Sequence, residues 1–160
     1  MQNKDHSLGF LWRIMRWLNP RISSRFRSGG KPAESVLILS TIGRKSGKVH
    51  RTPLQYEKID GDFYVGSARG TAADWYRNLS VNPEAHIEIG AELIPVQAEL
   101  ITDPQQIADF FEYRQRSHPI MIKLMVRMEG LRFQHTRQEL EEFASQKAVV
   151  VLHTRDEISP

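Results

Sequence analysis

The sequence contains no cysteine, and this absence excludes several kinds of chemistry at once. Without a thiol the chain forms no disulfide, offers no thiolate nucleophile, and supplies no cysteine ligand to zinc or to an iron–sulfur cluster. Any redox chemistry must therefore come from a bound cofactor or from a metal held by other ligands. The lack of disulfides and of a recognisable cleavable signal also fits the cytoplasm, which is the location that we predict.

The usual motifs of protein-based catalysis are absent as well. The chain has no Gly-x-Ser-x-Gly elbow, no His-Glu-x-x-His helix, no Rossmann glycine fingerprint and no Walker loop. Its six histidines are scattered rather than paired, so we predict no metal site. No pair of carboxylates is spaced for general acid–base work, and a hydrolase is therefore disfavoured.

No hydrophobic run is long enough to cross a membrane. Residues 8–18 have apolar side chains at helical spacing and predict a short amphipathic helix, followed by Pro20. A helix of this length cannot span a hydrocarbon core about 30 Å thick. Its two tryptophans and the arginines in and after it would suit an interfacial helix on an anionic bilayer. The preferred interpretation is that this helix packs on the rest of the domain, and both can hold if one face docks and the arginines lie near lipid.

The chain that remains is an ordinary globular one with an uneven distribution of charge. Its 160 residues are 40% hydrophobic and 26% charged, which predicts a compact fold. Residues 1–51 carry eleven lysines and arginines against Asp5 and Glu34, a net charge of +9, so the remaining residues carry −6 of the total of +3. A glycine-containing linker at 28–32 divides the chain into an N-terminal helix with a basic linker, residues 1–30, and the main domain, residues 31–160.

Short apolar runs and alternating patterns predict six strands, of which the first three are consecutive and antiparallel, together with a few helices. Asp60-Gly61 is typical of a tight hairpin turn, and Thr136 with Glu139 forms a capping-box pattern. Residues 120–128 are compatible with a helix or a strand. The predicted strands are 36–39, 52–59, 63–67, 86–89, 93–100 and 148–152, and the predicted helices are 75–79 after an Asp74 cap, 103–116 and 136–146.

One stretch has the residues of an anion-binding site. Gly43-Arg44-Lys45-Ser46-Gly47 follows an apolar strand and precedes a second strand that begins near Arg51. Glycines permit a turn that can direct its amide N–H groups, together with cationic side chains, toward a phosphate or a carboxylate. The alternative is a solvent-exposed hairpin tip with no ligand.

Several motifs in the same order resemble the deazaflavin-dependent nitroreductase family. They are 43–47, Arg51-Thr52-Pro53-Leu54, 61–65, 74–79 and Asn82-Pro83-Glu84, and the similarity is closest over about residues 36–101. The resemblance implies an α+β fold built on a split β-barrel, mostly antiparallel, with about six strands, peripheral helices and the N-terminal amphipathic helix. It also implies coenzyme F420 as a two-electron hydride carrier, with FMN as the alternative cofactor.

The same resemblance implies roles for particular residues. The loop would hold the phosphate and oligoglutamate tail of the cofactor, the following strand would run beside its linker and ring, and a strand end and a helix start would approach it. The implied cofactor contacts are Arg44, Lys45, Ser46, Gly47, His50, Arg51, Thr52, Pro53, Leu54, Gln55, Gly66, Ser67, Ala68, Arg69, Asp74, Trp75, Tyr76, Arg77 and Asn78. Tyr113 is a candidate for the substrate pocket, or alternatively a packing residue, and no catalytic acid is assigned.

The implied reaction is hydride transfer to an electron-poor small molecule such as an enone, a quinone or a nitro compound. The main alternative is a split-barrel protein that binds FMN, haem or a lipid without catalysis. A third possibility is a basic module for membranes or nucleic acid, although no basic sheet motif interleaved with aromatics supports nucleic acid. We expect a small-molecule acceptor, contact with an anionic membrane at the inner face of the cell membrane, and a monomer or a homodimer.

Overall fold

The computed structural model describes residues 36–67, 69–132 and 134–155, with the backbone alone at Met121 and Met125. The predicted N-terminal helix and the predicted domain boundary near residue 30 lie outside these residues.

Six antiparallel strands close into a barrel in the order β1-β2-β3-β6-β5-β4. The predicted barrel architecture is therefore confirmed, and each strand is longer than its apolar pattern indicated. The strands are β1 Val36–Ile42, β2 Val49–Ile59, β3 Asp62–Ser67, β4 Glu84–Ile89, β5 Glu92–Ile101 and β6 Ala148–Thr154.

The barrel interior follows from the two-residue alternation of the strands. In β1 the side chains of Leu37, Leu39 and Thr41 are buried, and the residues between them are more exposed. The same alternation in the other strands fills the interior with aliphatic side chains. The predicted turn at Asp60-Gly61 joins β2 to β3, and both residues have positive φ, as a two-residue type I′ hairpin requires.

The described part of the chain contains a short 3-10 helix, Gly70–Ala72, and four α-helices: α1 Asp74–Val81, α2 Pro104–Ser117, α3 Pro119–Met128 and α4 Arg137–Ala144. Residues 120–128, which the sequence left open, are helical. Asp103 caps α2 as predicted and accepts a hydrogen bond from the Gln105 amide at 3.0 Å. None of these four helices combines the length and the hydropathy that a bilayer crossing requires.

The predicted cap of α1 is wrong. Ala73 occupies the N-cap position without a side-chain hydrogen bond, and Asp74 is the first helical residue. The Asp74 carboxylate instead forms an ion pair with Arg44. A cap requires its side chain to turn back onto its own helix, and here the cation of a distant loop competes for that side chain.

The antiparallel topology brings the predicted site elements to one end of the barrel. The end of β1, the start of β2 and the end of β3 lie at the same end, because successive strands reverse direction. Helix α1 follows β3 there, and its apolar side chains pack into the barrel core. Helices α2 and α4 form a second apolar cluster against the outer face of the sheet.

Candidate functional site

Arg44 connects the loop of residues 43–48 to helix α1 through hydrogen bonds and an ion pair. Its backbone N–H donates to the Asn78 Oδ1 at 3.2 Å, and its Nη1 donates to the same oxygen at 3.1 Å. Its Nη2 lies 3.2 Å from the Asp74 Oδ1. Only 19% of the Arg44 side chain is exposed. The guanidinium therefore has a structural function in this site, and its predicted contact with the cofactor stays a prediction.

A buried hydroxyl continues this arrangement into the barrel. The Asn78 Nδ2 donates to the Thr41 Oγ1 at 3.2 Å, and both residues are almost completely buried. Thr41 supports the candidate site through this hydrogen bond, and the sequence interpretation missed it. Its signal was a polar residue in the inward-facing series that begins with Leu37 and Leu39, because a polar side chain at such a position needs a hydrogen-bonding partner.

The backbone of the loop leaves two amides available. The Gly47 N–H donates to the Gly43 carbonyl and the Gly43 N–H to the Lys48 carbonyl, both at 2.8 Å. The Lys48 N–H donates to the Ser46 hydroxyl at 3.2 Å. Within the described residues, the amides of Lys45 and Ser46 have no hydrogen-bond partner. These amides begin a single helical turn, and such N–H groups suit an anion.

The two glycines of the loop are required for different reasons. Gly47 has φ +66°, which side-chain-bearing residues rarely adopt. A Cβ on Gly43 would lie 2.6 Å from the His50 Nε2 and 2.6 Å from the Ser46 Oγ. Those two side-chain atoms are 3.2 Å apart, within hydrogen-bonding distance. The predicted glycine-bracketed turn is therefore confirmed, and the binding of an anion by this turn stays a prediction.

The loop carries positive charge that is not neutralised locally. Lys45 and Lys48 are exposed, and no side-chain hydrogen bond or ion pair joins either of them to another residue of the described chain. Arg51, in contrast, forms an ion pair with Glu88 of β4. An anionic group of the cofactor would have to compete with this carboxylate for the Arg51 guanidinium. The two lysines are therefore the available cations of the loop.

The aromatic pair of α1 lies inside the protein. Trp75 is 8% exposed and Tyr76 is 5% exposed, and both belong to the barrel core. Burial raises the pKa of the Tyr76 phenol. Their predicted cofactor contacts remain untested, but packing accounts for both side chains. Arg77 is exposed on the same helix, and its Nε donates to the Thr71 carbonyl at 3.2 Å.

Contacts within the protein account for Ser67 at the end of β3 and for Gly70 after it, whereas Gly66 has room for a Cβ. A Cβ on Gly66 would lie 3.9 Å from the Phe110 ring. The Ser67 hydroxyl donates to the Gly70 carbonyl at 2.7 Å in the interior. A Cβ on Gly70 would lie only 2.6 Å from the Gln146 carbonyl oxygen. The backbone that approaches this segment is therefore the chain's own. Arg69 is exposed, and Ala68 lies outside the described residues.

The second half of β2, the strand predicted to run beside the cofactor, contributes two side chains to a largely buried cluster of charged and polar groups. This cluster was not predicted from the sequence. The Arg114 Nε lies 3.2 Å from the Glu57 Oε1, and its Nη2 donates to the Gln55 Oε1 at 3.4 Å. The His118 Nε2 is 3.1 Å from the same Glu57 oxygen. Burial lowers the pKa of Arg114, and the adjacent Glu57 opposes this shift. Thr52, Pro53 and Leu54 connect the loop to this cluster.

Tyr113 lies in a different place from the loop. It borders an open cavity of about 400 Å³ beneath α2, and no residue of the loop or of α1 lines that cavity. At its edge His153 bridges Asp62 and Glu99, with nitrogen–oxygen distances of 2.9 and 2.8 Å. No group of three potential ligands suited to a metal ion is found among the described residues. Tyr113 and the loop therefore do not form one site in this structure.

A family model described as F420H(2)-dependent quinone reductase matches residues 12–122, which is more than half of the chain. The chain belongs to this family. It is therefore an F420H2-dependent reductase that uses coenzyme F420 and a small-molecule acceptor. The predicted deazaflavin cofactor and the predicted enzyme class are confirmed, and the haem, lipid and non-catalytic alternatives are not needed.

Individual relatives agree with this assignment. Rv1261c of Mycobacterium tuberculosis, an F420H(2)-dependent quinone reductase, is 37% identical over 90 residues, which cover 54% of this chain and 57% of the relative. Rv3178 of the same organism, which bears the same family name, is 36% identical over 85 residues, which cover 51% of this chain and 71% of the relative. A solved F420-H2 dependent reductase, FDR-A, has a TM-score of 0.50 at 17% identity, covering 74% of this chain and 94% of that one, and shares the fold.

The residues of the loop fit the acidic part of this cofactor. A phosphate and a chain of carboxylates need cations and N–H donors, and the loop offers two lysines and two amides that have no partner among the described residues. The donors stand on a loop that Arg44 fixes to α1, so they are already positioned before an anion arrives. The donor set is therefore suited to the tail, whereas it contains no group suited to redox chemistry.

Proposed function

We propose that this reductase transfers a hydride from reduced F420 to a quinone, with the loop of residues 43–48 binding the acidic tail of the cofactor. F420 supplies the two-electron chemistry when it is bound. The observation that carries the proposal is the pair of exposed lysines beside two amides without a partner in the described chain, on a loop fastened to α1. The family to which the chain belongs supports the quinone as the acceptor.

In this proposal the loop residues divide into two groups. Lys45, Lys48 and the amides of Lys45 and Ser46 bind the anionic groups directly. Arg44 positions them, because its guanidinium and its amide are already engaged by Asn78. This division differs from the roles that the resemblance implied, in which Arg44 was itself a ligand. It follows from the low exposure of Arg44 and from the number of its bonds to α1.

The remaining length of the cofactor is proposed to follow the outer face of β2. Leu54 packs against the barrel core, so the alternation of the strand turns Arg51, Pro53 and Gln55 outward. From residue 51 to residue 55 a strand advances about 13 Å, at about 3.3 Å per residue. A ligand held by its tail at the loop and lying along this face would extend toward the cluster of Gln55, Glu57 and Arg114.

The cofactor site is tested by titrating the protein with F420 and with FMN, following the quenching of each chromophore. We expect F420 to bind and the Lys45→Ala variant to bind it roughly tenfold or more weakly at low salt, because a charge-assisted hydrogen bond is lost. The variant should also show a weaker dependence of affinity on salt concentration. Lys123→Ala, which removes an exposed lysine of α3, is the matched control and should bind F420 like the wild type.

Two results would contradict this site. Unchanged F420 affinity in Lys45→Ala would remove the loop from the tail site, and micromolar binding of FMN without binding of F420 would contradict the cofactor itself.

The acceptor is tested separately by following the oxidation of reduced F420 with a quinone, an enone and a nitroaromatic compound. We expect the quinone to give the highest kcat/KM. A clear preference for either of the other two compounds would refute the quinone and leave the cofactor site unaffected.

A further inference from the structure

The cluster of Gln55, Glu57, Arg114 and His118 contains one group that readily gives up a proton near neutral pH. An amide has no such proton, and a guanidinium keeps its protons in proteins. The Glu57 carboxylate is the acceptor for both cationic partners. An imidazole is the side chain that ordinarily gains and loses a proton in this range. His118 is therefore the proton-transfer group of the cluster.

Glu57 fixes the orientation of the His118 ring. Its Oε1 lies 3.1 Å from the His118 Nε2 and 3.2 Å from the Arg114 Nε. Because a carboxylate only accepts hydrogen bonds, Nε2 carries a hydrogen in this contact. Within residues 36–67, 69–132 and 134–155, the His118 Nδ1 has no hydrogen-bond partner. Nδ1 is therefore the ring nitrogen that is available to a ligand.

The ring stands at the boundary between the interior and solvent. The side chains of Arg114 and Glu57 are 9% and 11% exposed, whereas that of His118 is 39% exposed. The backbone of His118 is fixed as well, since its N–H donates to the Arg114 carbonyl at 2.7 Å and its carbonyl accepts from the Ile122 amide at 3.0 Å. A buried carboxylate that orients an accessible imidazole is an arrangement that positions a general acid.

His118 lies toward the far end of the proposed cofactor path. Leu54 and Tyr56 pack against the barrel core, so Gln55 and Glu57 face outward on β2. From residue 51 to residue 57 a strand advances about 20 Å, at about 3.3 Å per residue. A cofactor whose acidic tail is held by the loop of residues 43–48 would extend its other end toward Glu57 and His118.

We propose that His118 is the general acid of quinone reduction and donates the proton on Nδ1 to a quinone oxygen. This inference rests on the proposed function and adds a proton donor to it. A quinone becomes a hydroquinone by gaining one hydride, with its two electrons, and one proton. Reduced F420 supplies the hydride when it is bound, and its own N–H proton passes to water.

The proton at His118 follows a defined route. The Nδ1–H bond breaks as an O–H bond forms on the reduced quinone, and the ring becomes neutral while Nε2 keeps its hydrogen toward Glu57. A proton from water then restores Nδ1. Arg114 stays charged throughout and holds Glu57 in place, so it is a positioning residue in this step.

Two quinones of different basicity separate proton donation from a purely structural role. His118→Gln keeps a polar side chain but has no proton to transfer at neutral pH. In a single turnover of reduced F420 with 1,4-naphthoquinone, we expect this variant to be about a hundredfold slower than the wild type. With tetrachloro-1,4-benzoquinone most of the defect should disappear, because the chlorines make the hydroquinone acidic and its anion needs no proton donor.

His135→Gln is the matched control. His135 is also partly exposed, and its Nδ1 lies 3.0 Å from the Arg132 carbonyl, so it has no carboxylate partner of the kind that orients His118. We expect this variant to react with both quinones like the wild type. The affinity for F420 should be the same in His118→Gln, in His135→Gln and in the wild type.

A measurement on the protein without F420 tests the geometry. In nuclear magnetic resonance spectra of protein containing isotopically labelled histidine, the ring signals that are absent from His118→Gln identify His118. As the pH is raised, we expect Nδ1 to lose its proton and Nε2 to keep its own. Loss of the Nε2 proton instead would show that Glu57 does not set the tautomer, and it would overturn the proposed donor.

The kinetic outcomes distinguish this inference from the function on which it rests. If His118→Gln reacts as fast as the wild type with 1,4-naphthoquinone, or is slowed equally with both quinones, the general acid is refuted and the cofactor site is unaffected. If the wild-type protein does not bind F420, the proposed function fails and the proton donor fails with it.

Discussion

At the scale of single residues, Asn78 holds the candidate site together more strongly than the ion pair beside it. Asp74 forms the only salt bridge that Arg44 makes in the described chain, but its side chain is 80% exposed, and exposed pairs contribute about 0–1 kcal/mol. Asn78 is 4% exposed and connects Arg44 to the buried Thr41 hydroxyl. Its loss would leave buried polar groups without partners, which costs about 1–3 kcal/mol for each group.

We therefore predict that Asn78→Ala lowers the free energy of unfolding by about 2 kcal/mol or more, whereas Asp74→Ala lowers it by less than about 1 kcal/mol. Urea denaturation followed by circular dichroism measures both values. Asn82→Ala is the control, since within the described residues the Asn82 side chain makes one hydrogen bond, which it accepts from the nearby Glu84 amide at 3.1 Å. Equal losses in the Asn78 and Asp74 variants would show that the exposed ion pair is as important as the buried amide.

At the scale of elements, the start of α4 was predicted correctly from the sequence. The Thr136 hydroxyl accepts from the Glu139 amide at 3.2 Å, and the Glu139 carboxylate accepts from the Thr136 amide at 2.7 Å. This hydrogen bond from the Thr136 backbone is the main reason that the pKa of Glu139 is lowered. The capping box therefore begins α4 with two backbone donors satisfied, as the spacing predicted.

Thr136→Ala should lower the free energy of unfolding by about 1 kcal/mol, because it removes the hydroxyl acceptor of the cap. Thr136→Ser retains that acceptor and should remain close to the wild type. Chemical denaturation of the three proteins checks this ordering. If the alanine and serine variants were equally stable, the cap would have no role in the stability of the folded domain.

At the scale of the whole molecule, His153 links three strands of the closed barrel. It stands on β6, and its two ring nitrogens contact Asp62 of β3 and Glu99 of β5. Its hydrogen bond with Glu99 is the first cause of a raised pKa, burial opposes the shift, and Asp62 adds to it. A raised pKa in the folded state means that the protonated ring stabilises the fold.

This linkage predicts the direction of a pH dependence. The stabilisation by His153 is fully present below the unfolded-state pKa of about 6.5 and is lost as the pH rises through the higher folded-state pKa. The free energy of unfolding should therefore fall over that range above about pH 6.5, and His153→Gln should make the curve flatter there. Unfolding measured across the range tests this prediction. An unchanged curve in the variant would assign the pH dependence to other groups.

The fold was largely predictable because its signals are local or repeated. Alternating apolar residues gave the strands, and Asp60-Gly61 gave the β2–β3 turn. The glycine-bracketed loop, the Arg51-Thr52-Pro53-Leu54 strand and the Asn82-Pro83 helix end, in this order, resemble a known family, and that resemblance implied the barrel and its deazaflavin cofactor. Each of these features depends on neighbouring residues or on their order, so the amino-acid sequence by itself contains them.

The partners of the site residues could be read only from the tertiary structure. Arg44 and Asn78 are 34 residues apart, and Thr41 and Asn78 are 37 apart, so no local pattern indicates that they meet. The same holds for α3, because the sequence left open whether residues 120–128 form a helix or a strand and did not indicate which side would be exposed. The sequence by itself therefore determined most of the elements and the basic loop, and its resemblance to a known family implied the deazaflavin cofactor. Barrel closure decided that Arg44 is a fastening residue, that Trp75 belongs to the core, and that Tyr113 lies away from the loop, because each depends on contacts between distant segments.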